Sequence, residues 1–231
     1  MARAPHPPRP PTPALLARAA KVTAALATAY PDAKCSLDYA TPLQLLIATI
    51  LSAQCTDARV NQVTPALFQR FPTAKAIATA PAGELERMIQ STGFFRNKAR
   101  ALREVCAALN AHHAGEVPRA LEELTALRGI GRKTANVVLG NAYGLPGIVV
   151  DTHVIRVSQR LGFTKQKDPE KIEQNLMALL PKEDWVVFGH RMIYHGRRHC
   201  KAPTPQCFGC PLLKVCPYPK KNLRPAREGS A

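Results

Sequence analysis

Residues 127–139, LRGIGRKTANVVL, are the segment that decides the fold. Apolar residues at helical spacing predict one helix over 121–127 and another over 134–143. Between them, Gly129-Ile130-Gly131 permits a tight reversal, because glycine adopts positive φ at little steric cost. The segment therefore predicts two helices joined by a hairpin.

The hairpin also has the chemistry of a phosphate site. Glycines let a phosphate come close to the backbone amides, and the following helix directs the positive end of its dipole at the same place. Arg128, Arg132 and Lys133 adjoin the hairpin. This helix–hairpin–helix suits contact with a DNA backbone without sequence preference, and an ordinary corner between two helices is the alternative.

Lys133 admits two interpretations from its position in the first turn of the second helix. The helix dipole and the neighbouring Arg132 both disfavour its ammonium form, and a neutral lysine amine is a usable nucleophile. The alternative is a cationic lysine that contacts a phosphate. The residue chemistry alone leaves both interpretations open.

Asp151 also has two candidate roles. It follows the apolar run 148–150 and precedes Thr152 and His153, so it can cap a helix that begins there. Its apolar neighbours could instead desolvate the carboxylate, which would suit proton transfer or stabilisation of a sugar cation. It lies eighteen positions after Lys133, a spacing that permits the two side chains to meet without establishing it.

Four of the seven cysteines lie close together. Cys200, Cys207, Cys210 and Cys216 have six, two and five residues between them, a spacing that predicts one metal centre. Structural zinc usually takes two separate cysteine pairs, so this pattern favours a [4Fe–4S] cluster, with zinc as the alternative. The odd total argues against a disulfide scaffold.

The charge indicates a polyanionic partner, either nucleic acid or an acidic membrane surface. Lys and Arg number 32 against 16 Asp and Glu, a formal charge of +16. Residues 91–140 carry eight basic and four acidic residues, and residues 190–231 carry nine and one. The hydrophobic content of 46% excludes a largely disordered chain, and no apolar run approaches the ~18 residues that a membrane span needs.

Helical periodicity extends over nearly the whole chain and predicts an all-α protein of roughly ten short helices. Capping residues indicate helix starts at Thr41, at Thr56 or Asp57, at Asp168 and at Asp184. An apolar stripe runs from Ala99 to Leu109. Six prolines make residues 1–13 a predicted flexible arm, and a helix is expected from Ala14.

Four motifs together carry a resemblance. They are LSAQCTD at 51–57, GIGRKTA at 129–135, VDTH at 150–153 and the C-x6-C-x2-C-x5-C loop. In this combination and order, the chain resembles the endonuclease III family of the helix–hairpin–helix DNA glycosylase superfamily. The resemblance extends from about residue 14 to residue 217.

The resemblance implies two α-helical domains that flank a DNA-binding groove. One is a six-helix barrel with the helix–hairpin–helix, expected at 35–145. The other, the iron–sulfur cluster domain, is discontinuous and comprises 14–34 and 146–217. The basic residues 218–231 are expected to form a flexible tail.

Carried over residue by residue, the resemblance makes Lys133 the nucleophile and Asp151 its carboxylate partner. Gln54 would fill the space that the extruded base leaves in the duplex. Phe94 or the adjacent Phe95 would be the intercalating wedge, where the family usually has leucine. We expect one of the two rings to be exposed and the other buried, and core packing at a helix start is the alternative role. The remaining DNA-contacting residues expected are Arg128, Gly129, Ile130, Gly131, Arg132, His153, Arg197, Arg198, Lys201 and Lys214.

The activity implied is that of a bifunctional DNA glycosylase and AP lyase of base excision repair. It would excise oxidised pyrimidines through a lysine Schiff base and cleave 3′ to the abasic site by β-elimination, with a [4Fe–4S] cluster held by the four cysteines. We expect a monomer in the cytoplasm, associated with the nucleoid, that binds duplex DNA with damaged bases or abasic sites and no membrane. Organelle import is the alternative location. The alternative functions are a monofunctional adenine-specific mismatch glycosylase and a non-catalytic iron–sulfur DNA-binding protein.

Overall fold

A computed structural model of the chain describes residues 10–225. This part of the chain forms eleven α-helices and two 3-10 helices and contains no β-strand, so the all-α prediction is confirmed. Residues 1–9 of the predicted arm and residues 226–231 of the predicted tail lie outside the described residues.

The α-helices contain between 5 and 18 residues. In chain order they are α1 (Pro13–Ala29), α2 (Pro42–Leu51), α3 (Asp57–Arg70), α4 (Ala74–Ala78), α5 (Glu84–Ile89), α6 (Phe95–His112), α7 (Leu121–Ala126), α8 (Arg132–Ala142), α9 (Thr152–Arg160), α10 (Pro169–Met177) and α11 (Trp185–Arg198). The 3-10 helices are Gln90–Thr92 and Lys182–Asp184.

Two compact units divide the chain, with boundaries after Lys34 and after Leu145. We call residues 35–145 the hairpin unit and the remaining described residues the cysteine unit. The hairpin unit contains α2–α8.

Threonine caps start three helices of the hairpin unit. The side-chain oxygens of Thr41, Thr56 and Thr73 each accept the backbone N–H three residues later, which satisfies a donor that the helix leaves unpaired. The core behind these helices is apolar. It includes the stripe from Ala99 to Leu109 on α6, as the spacing predicts.

The cysteine unit packs α11 against α9 and α1. Leu26, Phe188 and Met192 are fully buried in its core. Here α1 begins at Pro13, inside the predicted arm, because Thr12 Oγ1 accepts the N–H of Leu15 at 3.3 Å and caps the helix.

Candidate functional site

The hairpin between α7 and α8 is held by its own backbone and by one apolar anchor. Ile130 is buried, and its N–H donates to the carbonyl of Leu127 at 3.0 Å. Gly129 has φ +86°, a conformation that favours glycine. A Cβ added at Gly129 or Gly131 meets no described atom within 4 Å, so the backbone at both glycines is open to a ligand.

Helix α8 begins at Arg132, two residues earlier than the spacing predicts. Its N-cap is Gly131, whose carbonyl accepts the N–H of Ala135 at 3.0 Å and which offers no capping side chain. Lys133 is consequently the second residue of the helix, and it is exposed. Arg128 is also exposed, with an ion pair of 3.4 Å to Glu104.

Two loops of the hairpin unit present exposed side chains from left-handed backbone. Gln54 follows α2 with φ +53°, and Phe94 precedes α6 with φ +48° and is 62% exposed. The adjacent Phe95 is half-buried and packs against the core. The structure thus separates the two phenylalanines into one exposed ring and one packed ring.

Lys98 is a buried residue of this region that the sequence interpretation missed. Its Nζ donates to the carbonyl oxygens of Leu51 at 2.8 Å and Thr92 at 2.7 Å. Burial lowers the pKa of its ammonium group, and the nearby Cys55 acts in the opposite sense. The available signal was its place four residues before Leu102, which puts it on the buried face of α6.

Asp151 is the N-cap of α9. Its Oδ1 accepts the N–H groups of His153 at 2.8 Å and Val154 at 2.9 Å. The cap engages only one carboxylate oxygen, so capping and a chemical role at Oδ2 are compatible. Asp151 belongs to the cysteine unit and Lys133 to the hairpin unit.

His153 is held by Arg156 on the same helix. Its Nδ1 lies 2.9 Å from Arg156 Nη2, which can only donate, so Nδ1 is the acceptor and the ring proton is on Nε2. Burial lowers the pKa of His153, the Asp151 carboxylate raises it, and the Arg156 and Arg197 guanidinium groups lower it. The net effect favours a neutral imidazole with an N–H at Nε2.

All four clustered cysteines line one cavity of the cysteine unit. The Arg160 guanidinium donates to Cys200 Sγ at 3.3 Å, and also to the carbonyls of Lys201 and Pro203 at 2.9 Å and 3.1 Å. Four sulfur donors around one cavity, with a cation beside one sulfur, fit an anionic iron–sulfur centre. Among the described residues, no three His, Cys, Asp or Glu side chains form a site for a single metal ion.

A histidine connects this cavity to the core. His195 Nε2 lies 3.8 Å from Cys210 Sγ, and its Nδ1 shares a hydrogen bond of 3.0 Å with the hydroxyl of Tyr30. Burial lowers the pKa of His195 to about 4 and raises that of Tyr30 to about 12. Both groups are therefore neutral near pH 7.

The segment after the cysteines is partly packed, although the sequence assigns residues 218–231 to a flexible tail. The ring of Tyr218 lies under the Arg160 guanidinium at 5.0 Å. The Cys207 N–H donates to the carbonyl of Asn222 at 3.0 Å, and Lys221 Nζ donates to the carbonyl of Leu213 at 3.3 Å. Within the described residues, these contacts extend the folded chain to about residue 222.

Basic side chains surround the cysteine loop. Arg197, Arg198, Lys201 and Lys214 are exposed, as a phosphate-binding role requires. The Arg198 guanidinium lies 5.1 Å from the ring of Tyr194, which holds it in place. No helix among residues 10–225 has the length and apolar character needed to cross a bilayer.

Comparison with known proteins identifies the class first. Residues 47–182 match the family model described as HhH-GPD superfamily base excision DNA repair protein. Endonuclease III of Synechocystis sp. is 56% identical over 201 residues, which cover 87% of this chain and 92% of that relative. Endonuclease III of Bacillus subtilis is 48% identical over 188 residues, 81% and 86% of the two chains.

Solved structures agree with these relatives. A non-covalent endonuclease III–DNA complex superposes with a TM-score of 0.83 at 49% identity, covering 88% of this chain and 95% of that chain. A trapped endonuclease III–DNA covalent intermediate gives a TM-score of 0.85 at 49% identity, with coverage of 90% and 99%.

This protein therefore belongs to the helix–hairpin–helix base excision DNA repair superfamily and, within it, to the endonuclease III family. The family and the activity predicted from the four motifs, a glycosylase of base excision repair with AP lyase activity, are confirmed.

Proposed function

We propose that this protein excises oxidised pyrimidines from duplex DNA, with Lys133 as the Schiff-base nucleophile, and cleaves the strand 3′ to the resulting abasic site. The observation that carries the proposal is the placement of Lys133. Lys133 is exposed in the first turn of α8, directly after a glycine hairpin whose backbone is open to a phosphate. Oxidised or saturated pyrimidines stack and pair poorly, which lowers the cost of taking them out of the helix.

Two exposed side chains support base extrusion. The glycosidic carbon is shielded inside a duplex, so the target nucleotide must leave the stack before an amine can reach it. Phe94 would wedge between bases, since aromatic rings stack on base steps. Gln54 would occupy the space that the extruded base leaves.

The chemical steps use two residues. The neutral Lys133 amine attacks the sugar C1′, the C1′–N bond breaks, and the base leaves with its bonding electron pair and takes up a proton. The Asp151 carboxylate stabilises the positive charge that develops on the sugar and assists proton transfer. The C1′–O4′ bond then breaks and O4′ takes up a proton, which opens the sugar ring and gives the Schiff base. Loss of its C2′ proton breaks the C3′–O bond and releases the 3′ strand.

The remaining predicted contacts would bind the DNA backbone. The amides at Gly129, Ile130 and Gly131 suit a phosphate, and Arg128 and Arg132 add charge beside them. In the cysteine unit, His153 offers its Nε2–H as a donor. Exposed cations of that unit, Arg197, Arg198, Lys201 and Lys214, extend the phosphate contacts.

Cys200, Cys207, Cys210 and Cys216 would hold a [4Fe–4S] cluster, since they line one cavity and supply four thiolates. Such a cluster supplies redox-capable chemistry, whereas glycosidic cleavage and β-elimination transfer no electrons to or from the protein. The residues of the loop therefore serve to present Lys201 and Lys214 to phosphates. We assign the cluster domain to the cysteine unit and the helical barrel to the hairpin unit.

Borohydride trapping tests the nucleophile. Wild-type protein is incubated with duplexes that contain an oxidised pyrimidine, an abasic site or an adenine mismatch, and reduction converts a Schiff base into a stable adduct. We expect adducts with the first two duplexes, none with Lys133→Gln, and full trapping with the exposed control Lys165→Gln. A covalent adduct that survives Lys133→Gln would refute the assignment of the nucleophile.

Asp151→Asn tests the carboxylate without removing the cap, because the amide oxygen can still accept the N–H groups of His153 and Val154. We expect loss of base release with DNA affinity retained. Retention of full activity would exclude the proposed role. DNA binding by the wild type without base release or strand cleavage would instead indicate a non-catalytic DNA-binding protein.

Two simpler measurements address the cofactor and the assembly. Fresh protein should show a broad absorbance near ~400 nm if the four cysteines hold an iron–sulfur cluster, and zinc would give none. Sedimentation should show a monomer. We place the protein in the cytoplasm with the nucleoid, and fluorescence microscopy of a tagged chain tests that location.

A further inference from the structure

Lys98 is a buried cation whose hydrogen bonds go to two separate loop boundaries. Only 6% of the residue is exposed. Its Nζ reaches the carbonyl oxygens of Leu51 and Thr92, 47 and 6 positions away in the chain. None of the ion pairs found in residues 10–225 includes Lys98. Its buried charge is therefore balanced by backbone dipoles, which makes the position of those two carbonyls important.

Each carbonyl lies at the start of a loop that contains a strained residue. Leu51 is the last residue of α2, and Gln54 follows it by three positions with φ +53°. Thr92 is the last residue of the 3-10 helix Gln90–Thr92, and Phe94 follows it by two positions with φ +48°. Left-handed backbone is unfavourable for residues other than glycine and persists only where the surroundings enforce it.

Lys98 also fixes the second loop through its own backbone. Its N–H donates to the carbonyl of Phe94 at 3.0 Å, which starts α6 directly after the left-handed residue. Lys98 therefore bonds the carbonyls of Thr92 and Phe94 in the second loop. Its ammonium group also bonds the carbonyl of Leu51 at the end of α2. All of these contacts lie within the hairpin unit.

We propose that Lys98 is a positioning residue that holds the loops of Gln54 and Phe94 at a fixed separation, so that both side chains enter the duplex together. This inference rests on the proposed function, in which those two side chains replace and support the extruded base. Lys98 does not contact the substrate. Its effect is confined to the step that takes a base out of a duplex, and the amine chemistry at Lys133 follows that step.

The proposal predicts a difference between substrates. An abasic site in single-stranded DNA has no base to extrude and no partner base to replace, so cleavage there does not need both loops. Lys98→Met keeps the length and much of the volume of the side chain but removes its donors. We expect its rate on a duplex oxidised pyrimidine to fall by about tenfold more than its rate on the single-stranded abasic site, the size typical of a lost charge-assisted hydrogen bond.

The matched control is Leu102→Ala, one turn further along α6 and fully buried. It lowers the stability of the same helix without touching either carbonyl. Thermal unfolding is measured for both variants. A variant that only loses stability should show the same relative fall in cleavage rate on both substrates. Lys98→Gln keeps an N–H donor on a shorter side chain. It should restore part of the duplex rate, and it replaces Lys98→Met if that variant does not fold.

A fluorescent adenine analogue placed opposite the lesion reports the extrusion step directly, because its emission rises when it loses stacking. Under single-turnover conditions, we expect the fluorescence to rise more slowly with Lys98→Met than with the wild type. With Leu102→Ala, it should rise at the wild-type rate. An equal fall on both substrates, or an unaltered fluorescence phase, would overturn the inference. If the wild-type protein itself forms no Schiff base, the proposed function fails, and that outcome is distinct from the loss of the substrate difference.

Discussion

The Arg156 guanidinium donates from Nε to the carbonyl oxygen of Cys200 at 2.8 Å. Its Nη2 donates to the carbonyl of Gly196 at 3.1 Å and to His153 Nδ1. Arg156 thereby joins the helix that Asp151 caps to the end of α11 and to the first residue of the cysteine loop. One side chain therefore contacts both the cysteine loop and His153.

Arg156→Met should loosen the cysteine loop. The substitution retains apolar packing and removes four hydrogen bonds, to Cys200, Gly196, His153 and, at 3.5 Å, Thr152. Loss of charged donors from part-buried acceptors costs about 1–3 kcal/mol. We expect a lower melting temperature and faster bleaching of the ~400 nm absorbance in the presence of an iron chelator. Lys165→Met, an exposed change on the same unit, is the control. Equal bleaching rates would show that Arg156 does not support the loop.

Gly196→Ala should disturb His153. A Cβ at Gly196 would lie 2.8 Å from His153 Cβ, closer than side-chain carbons approach. We expect a loss of about 1–3 kcal/mol of stability and weaker DNA binding, because the ring must move. Gly189→Ala on the same helix is the control. Its Cβ meets only ordinary contacts, with Val149 N at 3.6 Å, so it should be neutral or stabilising in thermal unfolding.

The two hairpin glycines should respond differently to alanine. Gly129→Ala places a side chain at φ +86° and should cost about 1–2 kcal/mol of stability. Gly131→Ala should leave the melting temperature unchanged, since its φ is −87° and its Cβ has space. If the amides bind phosphate, Gly131→Ala will weaken binding to undamaged duplexes of any sequence, as fluorescence anisotropy can measure. Unaltered affinity would indicate an ordinary helix corner.

The Glu86–Arg103 ion pair should make stability depend on acid pH. The Arg103 guanidinium bonds both carboxylate oxygens, at 2.6 Å and 3.0 Å, and lowers the pKa of Glu86 from 4.5 to about 2. Because the folded-state pKa is the lower one, the contribution is complete above pH 4.5 and is lost as the pH falls towards 2.

Glu86→Gln should therefore cost about 1 kcal/mol at neutral pH and nothing near pH 2, since the pair is partly solvated. Urea titrations at several pH values measure the difference. Glu84→Gln, which breaks the more exposed pair with Arg70, is the control and should have a smaller effect. A pH-independent difference would mean that Glu86 acts by packing.

Local signals account for the helix starts that the sequence predicts. Thr41, Thr56 and Asp168 act on backbone N–H groups three residues away, so a short stretch of sequence contains both partners. The start of α8 was placed two residues late because its N-cap is Gly131, which has no capping side chain. Lys133 is the second residue of α8 and therefore lies in its first turn, as expected from the sequence.

The candidate site also contains features that the sequence predicts and features that it does not. The glycine hairpin, the cysteine spacing and the aspartate before α9 are contiguous motifs, and together they determined the family and its chemistry. Lys98 was missed because composition treats lysine as a surface residue, and the carbonyl of Leu51 is remote in sequence. The packing of residues 218–222 against the cysteine loop was also missed, because its contacts, such as that of Asn222 with Cys207, are with residues outside the segment.

The sequence by itself determined an all-helical chain of the endonuclease III family, because capping, periodicity and motif spacing act over a few residues. Only the tertiary structure decided which polar side chains are buried and which contacts fix the loops of the candidate site. The burial of Lys98 between two loops, the contact of Gly196 with His153 and the bonds from Arg156 to the cysteine loop all join residues that are far apart in the chain. Their energies depend on desolvation and close packing, which exist only once the helices have assembled.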